Sequence, residues 1–98
     1  MLSSWITGEL MKVELPGIML RFVEFESEID IAADTVSGAL TALVNRYPGL
    51  KGSLVDGEGK VRKAHQLFVD GEQIKEAEFD LPVNQAATLV VITAIAGG

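Results

Sequence analysis

Apolar and polar positions along the chain alternate, change to a helical period, and then alternate again. In Leu10-Met11-Lys12-Val13-Glu14-Leu15, Met11, Val13 and Leu15 fall on one side and Lys12 and Glu14 on the other. This is the two-residue period of a strand with one wet face. Pro16-Gly17 follows, in the order that a type II turn favours. Residues 18–25 admit two readings: a strand paired back through a tight Pro16-Gly17 hairpin, or an irregular apolar connection. Glu28-Ile29-Asp30-Ile31 alternates cleanly and predicts a strand, so two antiparallel strands near the N-terminus follow on either reading. The period then changes. Val36, Ala39, Leu40, Leu43, Val44 and Tyr47 recur at spacings of three and four, the apolar stripe of a helix. Asp34 or Thr35 suits its N-cap, Arg46 in the last turn complements the helix dipole, and Pro48-Gly49 ends it.

Residues 50–63 read as a polar connection around Asp56-Gly57-Glu58-Gly59. An acidic, glycine-containing loop raises calcium, but the spacing does not supply the alternating oxygen ligands and terminal bidentate Glu of an EF-hand, so a surface turn is expected. Gln66-Leu67-Phe68-Val69, Asp70-Gly71 and Glu72-Gln73-Ile74 predict a hairpin, because Asp-Gly suits a type I′ turn with both central residues at positive φ. Residues 75–85 form an acidic connection. The run from Ala86 to Ala96 is apolar on both faces and rich in β-branched residues, which places it in the middle of a sheet, parallel to the first strand with the helix as crossover. The order of elements predicts an α+β fold: a mixed sheet of four to five strands with one main helix on one face. Residues 1–9 are an irregular lead-in whose Trp5 and Ile6 could fold back, residues 10–96 are the domain, and residues 97–98 are a flexible tail.

The 98-residue length allows one domain with a real core. Eight basic residues against fourteen acidic give a net charge of -6, which argues against a nucleic-acid partner, since phosphate binding needs a basic footprint. The absence of cysteine excludes disulfides, thiol nucleophiles, persulfide carriage and thiolate metal sites. His65 alone excludes a histidine-rich metal site, and with no partner for a triad it reads as structural. The start has no basic stretch or long apolar core of a secretory signal, and no run is long enough to span a bilayer; a cytoplasmic protein without a membrane partner is expected. Lys60, Arg62 and Lys63 form the one basic cluster, read as a solvated loop. Glu24, Glu26, Glu28 and Asp30, spaced by two, would share one face of a strand and keep it wet.

The remaining feature is the terminal Gly97-Gly98. Two residues without Cβ make a thin thread able to enter a narrow slot, and the end of the thread is a carboxylate. A frayed end is the plain alternative. The helix, Asn45-Arg46-Tyr47-Pro48-Gly49-Leu50, the Asp56-Gly57-Glu58-Gly59 loop, Leu67-Phe68-Val69-Asp70-Gly71-Glu72 and Ala96-Gly97-Gly98 occur in that order. Together they resemble the ubiquitin-like sulfur carriers: the small subunit of molybdopterin synthase, the thiamin sulfur carrier, and the carrier of an alternative cysteine pathway. The last is nearest, through Arg46-Tyr47-Pro48-Gly49-Leu50-Lys51. The resemblance covers about residues 10 to 98. It departs at residues 81–88, which lack the usual Gly-Asp turn, and in the longer lead-in.

This resemblance implies a ubiquitin-like β-grasp fold and a covalent substrate of other enzymes rather than an enzyme. A ubiquitin-activating-type adenylyltransferase would adenylate the Gly98 carboxylate with ATP, and no cofactor would be bound by the carrier itself. A sulfur donor, a sulfurtransferase or a sulfide source, would convert the adenylate to a thiocarboxylate. A sulfur-accepting synthase would then take the sulfur into cysteine, molybdopterin, thiamin or a secondary metabolite. Some such carriers are trimmed to the diglycine by a metalloprotease. Gly97 and Ala96 would form the tail, Leu89 and Val91 the core side of the last strand, and Val90 and Ile92 a partner-docking surface. Two alternatives stay open: a ubiquitin-like modifier forming isopeptide bonds through Gly98, and a non-covalent β-grasp interaction module.

Overall fold

A computed structural model describes residues 10–83 and 87–93. Five strands form one mixed sheet: β1 (Leu10–Glu14), β2 (Glu28–Ala32), β3 (His65–Val69), β4 (Glu72–Ile74) and β5 (Thr88–Thr93), in the spatial order β2-β1-β5-β3-β4. One α-helix, α1 (Val36–Arg46), crosses between β2 and β3, and three short 3-10 segments fill the connections.

Alternation becomes layering. Met11 lies opposite Ile31 and Val13 opposite Ile29 in the antiparallel β1–β2 pair, and Val13 meets Leu89 in the parallel β1–β5 pair. Leu67 lies opposite Val91 in the antiparallel β3–β5 pair. These side chains, all at most 4% exposed, make one inner face. The apolar stripe of α1, Val36, Ala39, Leu40 and Leu43, covers that face. Thr35 provides the N-cap, its Oγ1 accepting the Gly38 N–H at 2.9 Å. At the other end Arg46 reaches back, Nη1 donating to the Asp30 carbonyl at 3.3 Å.

The expected hairpin is present. Asp70 at φ 49 and Gly71 at φ 89 make the left-handed pair that its two-residue turn requires. Of the two readings of residues 18–25, the connection is the one present and the strand is not. Three expectations change. Pro16-Gly17 is not a type II turn, for Gly17 is not left-handed. Gly17–Phe22 is a 3-10 helix, because Met19 and Val23, four residues apart, are both fully buried. Residues 50–63 are more than a polar connection: Pro48–Lys51 is a 3-10 turn, and Leu50, Leu54 and Val55 enter the core. Gly49 here is a close approach, since a Cβ on it would come within 3.0 Å of Phe22 Cδ1. The carboxylates at 24, 26, 28 and 30 do not share a strand face either. Glu28 and Asp30 lie on β2, whereas Glu24, at φ 57, and Glu26 belong to the turn before it.

Candidate functional site

The strand that leads to the C-terminus is the centre of the sheet. Its first residues, Thr88–Val90, pair in parallel with Lys12–Glu14, and Leu89–Thr93 pair antiparallel with His65–Val69. A strand hydrogen-bonded on both edges is a stiff root for the residues that follow. Leu89 and Val91 point into the core at 0% and 2% exposure, and Ile92 points out at 46%. Val90, half-buried, shares the outer face with Ile92. Ala96, Gly97 and Gly98 lie outside the described residues, as does Trp5.

The outer face holds one residue that the sequence reading left out. Phe68, half-buried, stands opposite Val90 across the β3–β5 pair, and Gln66 opposite Ile92. Phe68, Val90 and Ile92 thus make an apolar strip along the sheet centre. Gln66 and Gln73 border it on the β3–β4 side. Glu14, Glu28 and Asp30 border it on the β1–β2 side, where Lys12 Nζ pairs with Glu28 at 3.6 Å. The signal for Phe68 was present: in a strand whose Leu67 faces the core, position 68 must face away.

His65 holds the end of β5. Its Nδ1 lies 3.0 Å from Thr93 Oγ1 and its Nε2 lies 2.8 Å from the Ser53 carbonyl. A carbonyl only accepts, so Nε2 carries a proton and donates. Both ring nitrogens are engaged in joining the 53 loop to the last residue of β5, which is a structural role. The basic cluster is partly structural too, with Arg62 Nε donating to the Gly52 carbonyl at 2.8 Å. Asp56 closes its own loop: Oδ1 accepts the Glu58 N–H at 2.8 Å and the Lys60 N–H at 3.0 Å. These two bonds, the Lys60 one foremost, hold the carboxyl below its ordinary pKa against a smaller opposing desolvation, with the charges of Arg62 and Lys60 adding to the lowering. Gly59, at φ 84, gives the loop its left-handed corner. A cavity of about 420 Å³ between α1 and the 51–61 loop lies on the helix side of the sheet, away from the apolar strip.

No protein-family model matches the chain, and no curated protein matches it. Among solved structures it is similar to a chain of the Amycolatopsis orientalis BexX/CysO complex, at 25% identity over 90% of this chain and 99% of that one, with a TM-score of 0.78. SAMP1 from Haloferax volcanii is 20% identical over 91% of this chain and 99% of its own, with a TM-score of 0.77. Mycobacterium tuberculosis CysO is 17% identical over 87% of this chain and 99% of its own, with a TM-score of 0.75. The fold is the ubiquitin-like β-grasp. The neighbours are ubiquitin-like sulfur carriers and modifiers, the same group that the sequence motifs resemble.

Proposed function

We propose that this chain is a sulfur carrier, a substrate of partner enzymes, in which the Gly98 carboxylate is the reacting group. The observation that carries the reading is the placement of β5. It is paired on both edges, carries an apolar strip on its outward face, and is followed in the sequence by Ala96-Gly97-Gly98. A free α-carboxylate ionises with a pKa of about 3.5 and resists nucleophiles at neutral pH. A ubiquitin-activating-type adenylyltransferase would join it to the α-phosphate of ATP and release pyrophosphate. Sulfide would then attack the acyl carbon, with AMP leaving and a proton lost, to give the thiocarboxylate; where the donor is a sulfurtransferase persulfide, a thiol reductant supplies the two electrons that release its outer sulfur at the sulfide level. A synthase would accept the sulfur from it. The carrier supplies a thin thread for the first enzyme's slot and the Phe68, Val90 and Ile92 strip for its body. It needs no cofactor of its own for either.

The test is mass spectrometry of the chain after incubation with an adenylyltransferase, ATP and sulfide. A mass gain of sulfur for oxygen on the free chain is expected, and none in Gly98→Ala, where a Cβ enters at the reacting residue. Normal loading of Gly98→Ala overturns the reading. Conjugates of higher mass in place of the thiocarboxylate would identify a protein modifier acting through the same residue. Full partner binding by a chain extended beyond Gly98, with no adenylation of either form, would identify a non-covalent module.

A further inference from the structure

An enzyme that takes residues 94–98 into its active site must approach the end of the sheet at which β5 stops. That end carries a second feature. β1 runs parallel to β5 and leaves the ladder after Glu14, which is opposite Val90; β2 enters at Glu28, beside Glu14. The connection 15–27 therefore both starts and finishes at the Thr93 end of the sheet, on the β1 side of β5, with the Leu15 N–H donating to the Ser27 carbonyl at 3.1 Å and Phe25 only three residues from the start of β2.

This connection buries Met19 and Val23 completely, yet it leaves Ile18 57% and Phe25 75% exposed. They are the two most exposed large hydrophobic residues among those described. Phe25 takes no part in the core. Its backbone is left-handed at φ 63, directly after Glu24 at φ 57, a conformation unfavourable for a bulky L residue and free of penalty for glycine. The turn is held in that shape by the Phe25 N–H donating to the Leu20 carbonyl at 2.8 Å and the Glu26 N–H to the Val23 carbonyl at 3.1 Å. A strained position that presents an aromatic ring to water calls for a use outside the folding of the chain. The surroundings give the chemistry of what would cover it. Exposed Glu24 and Glu26 are its neighbours in the chain and exposed Glu28 opens the strand that follows, while the nearby cation, Arg21, faces the Phe22 ring at 5.3 Å.

We propose that Phe25, with Ile18 of the same connection, is a second anchor for the enzyme that activates the tail, received there in an apolar socket rimmed by lysine or arginine. The inference rests on the carrier reading and adds to the sheet-face strip a contact on the other side of the tail's root. An enzyme gripping both sides of β5 fixes the direction in which the last residues leave, which a single flat face does not.

The experiment is ATP–pyrophosphate exchange with a ubiquitin-activating-type adenylyltransferase that accepts the wild-type chain, comparing wild type, Phe25→Gly and Phe25→Asn. Both replacements tolerate the left-handed backbone, so both fold, and Phe25→Gly melts at or above the wild-type temperature. The expected result is a rise of about tenfold in the KM for the carrier with kcat kept, the size of effect that follows from losing one buried aromatic contact. An unchanged KM in both variants overturns the second anchor while leaving the carrier reading in place. Failure of every adenylyltransferase to act on the wild-type chain overturns the carrier reading, and the anchor with it.

Discussion

Ile92 and Leu89 belong to the same strand and point to opposite faces, and that contrast allows a sharp test of which face meets a partner. Fully burying an isoleucine side chain is worth about 1.5–3 kcal/mol. Ile92 is 46% exposed, so a little under half of this, about 0.7–1.4 kcal/mol, is left to be gained when a partner covers it. Threonine is the useful replacement. It keeps the β-branch, and with it the strand preference, but it loses most of the apolar extension and places a hydroxyl where the partner is dry. Ile92→Thr should therefore raise the KM for the carrier in adenylation roughly three- to tenfold, at about 1.4 kcal/mol per decade. Its folding stability should fall by only about 1 kcal/mol, because the part of the side chain already covered within the chain is worth at most about 1.6 kcal/mol and threonine keeps one of its methyl groups. Leu89→Ala is the reciprocal control. At 0% exposure it leaves a cavity in the core and should cost about 2–5 kcal/mol of stability. Urea unfolding followed by circular dichroism gives the stabilities, and pyrophosphate exchange gives the KM. A KM for Ile92→Thr within twofold of wild type would refute the assignment of the docking face. A stability loss of about 2 kcal/mol or more in the same variant would show that Ile92 belongs to a buried layer after all.

Two further outcomes test the local chemistry. Thr35→Ala removes the one side-chain acceptor seen at the start of α1. It should cost about 1 kcal/mol, which lowers the melting temperature by about 4–8 °C in a domain of this size; an unchanged melting temperature would show that the cap does not stabilise the helix. Asp56 titrates below its ordinary value because its charged form accepts the Lys60 and Glu58 N–H groups. Its contribution to loop order is therefore present above the unfolded pKa of about 3.9 and is lost as the pH falls through the lower folded value. In NMR the Glu58 and Lys60 amide shifts should titrate together with a midpoint below that of an unfolded aspartate, and the transition should vanish in Asp56→Asn. A midpoint at or above the unfolded value would contradict the hydrogen-bond geometry.

How much of this was legible in the sequence depends on what each element uses to hold itself. β1, β2 and α1 follow a single period from end to end, and the hydrophobic pattern states it directly: Met11 and Val13 in one strand, Ile29 and Ile31 in the next, Val36 through Leu43 in the helix. The Asp70-Gly71 turn was legible for another reason, since its backbone angles admit few residue pairs. Position and apolarity on both faces together placed the last strand in the middle of the sheet. The 3-10 segments were not legible, because a segment of three to six residues completes no more than two turns and shows no period of its own. Met19 and Val23 could be read as a strand with one misplaced residue. Leu50, Leu54 and Val55 sit among glycines and charges and look like a loop until the core closes over them.

The candidate site divides along the same line. Leu89, Val90, Val91 and Ile92 could be sorted into faces by alternation once the strand was identified, and Phe68 follows by the same rule through the register that sets it opposite Val90. Phe25 could not be found that way. Nothing in Glu24-Phe25-Glu26 signals a left-handed backbone, because the residues that usually mark one, glycine and asparagine, are absent. Its placement depends on the buried pair Met19 and Val23, which closes the 3-10 turn and forces the chain to reverse over the next few residues to reach Glu28. The reversal, not any preference of Phe25 itself, turns the ring outward. A residue set against its own preference by the packing of its neighbours is a feature that only three-dimensional structure exposes, and it lies close in the chain to Glu28, at the end of the sheet where Thr93 closes β5.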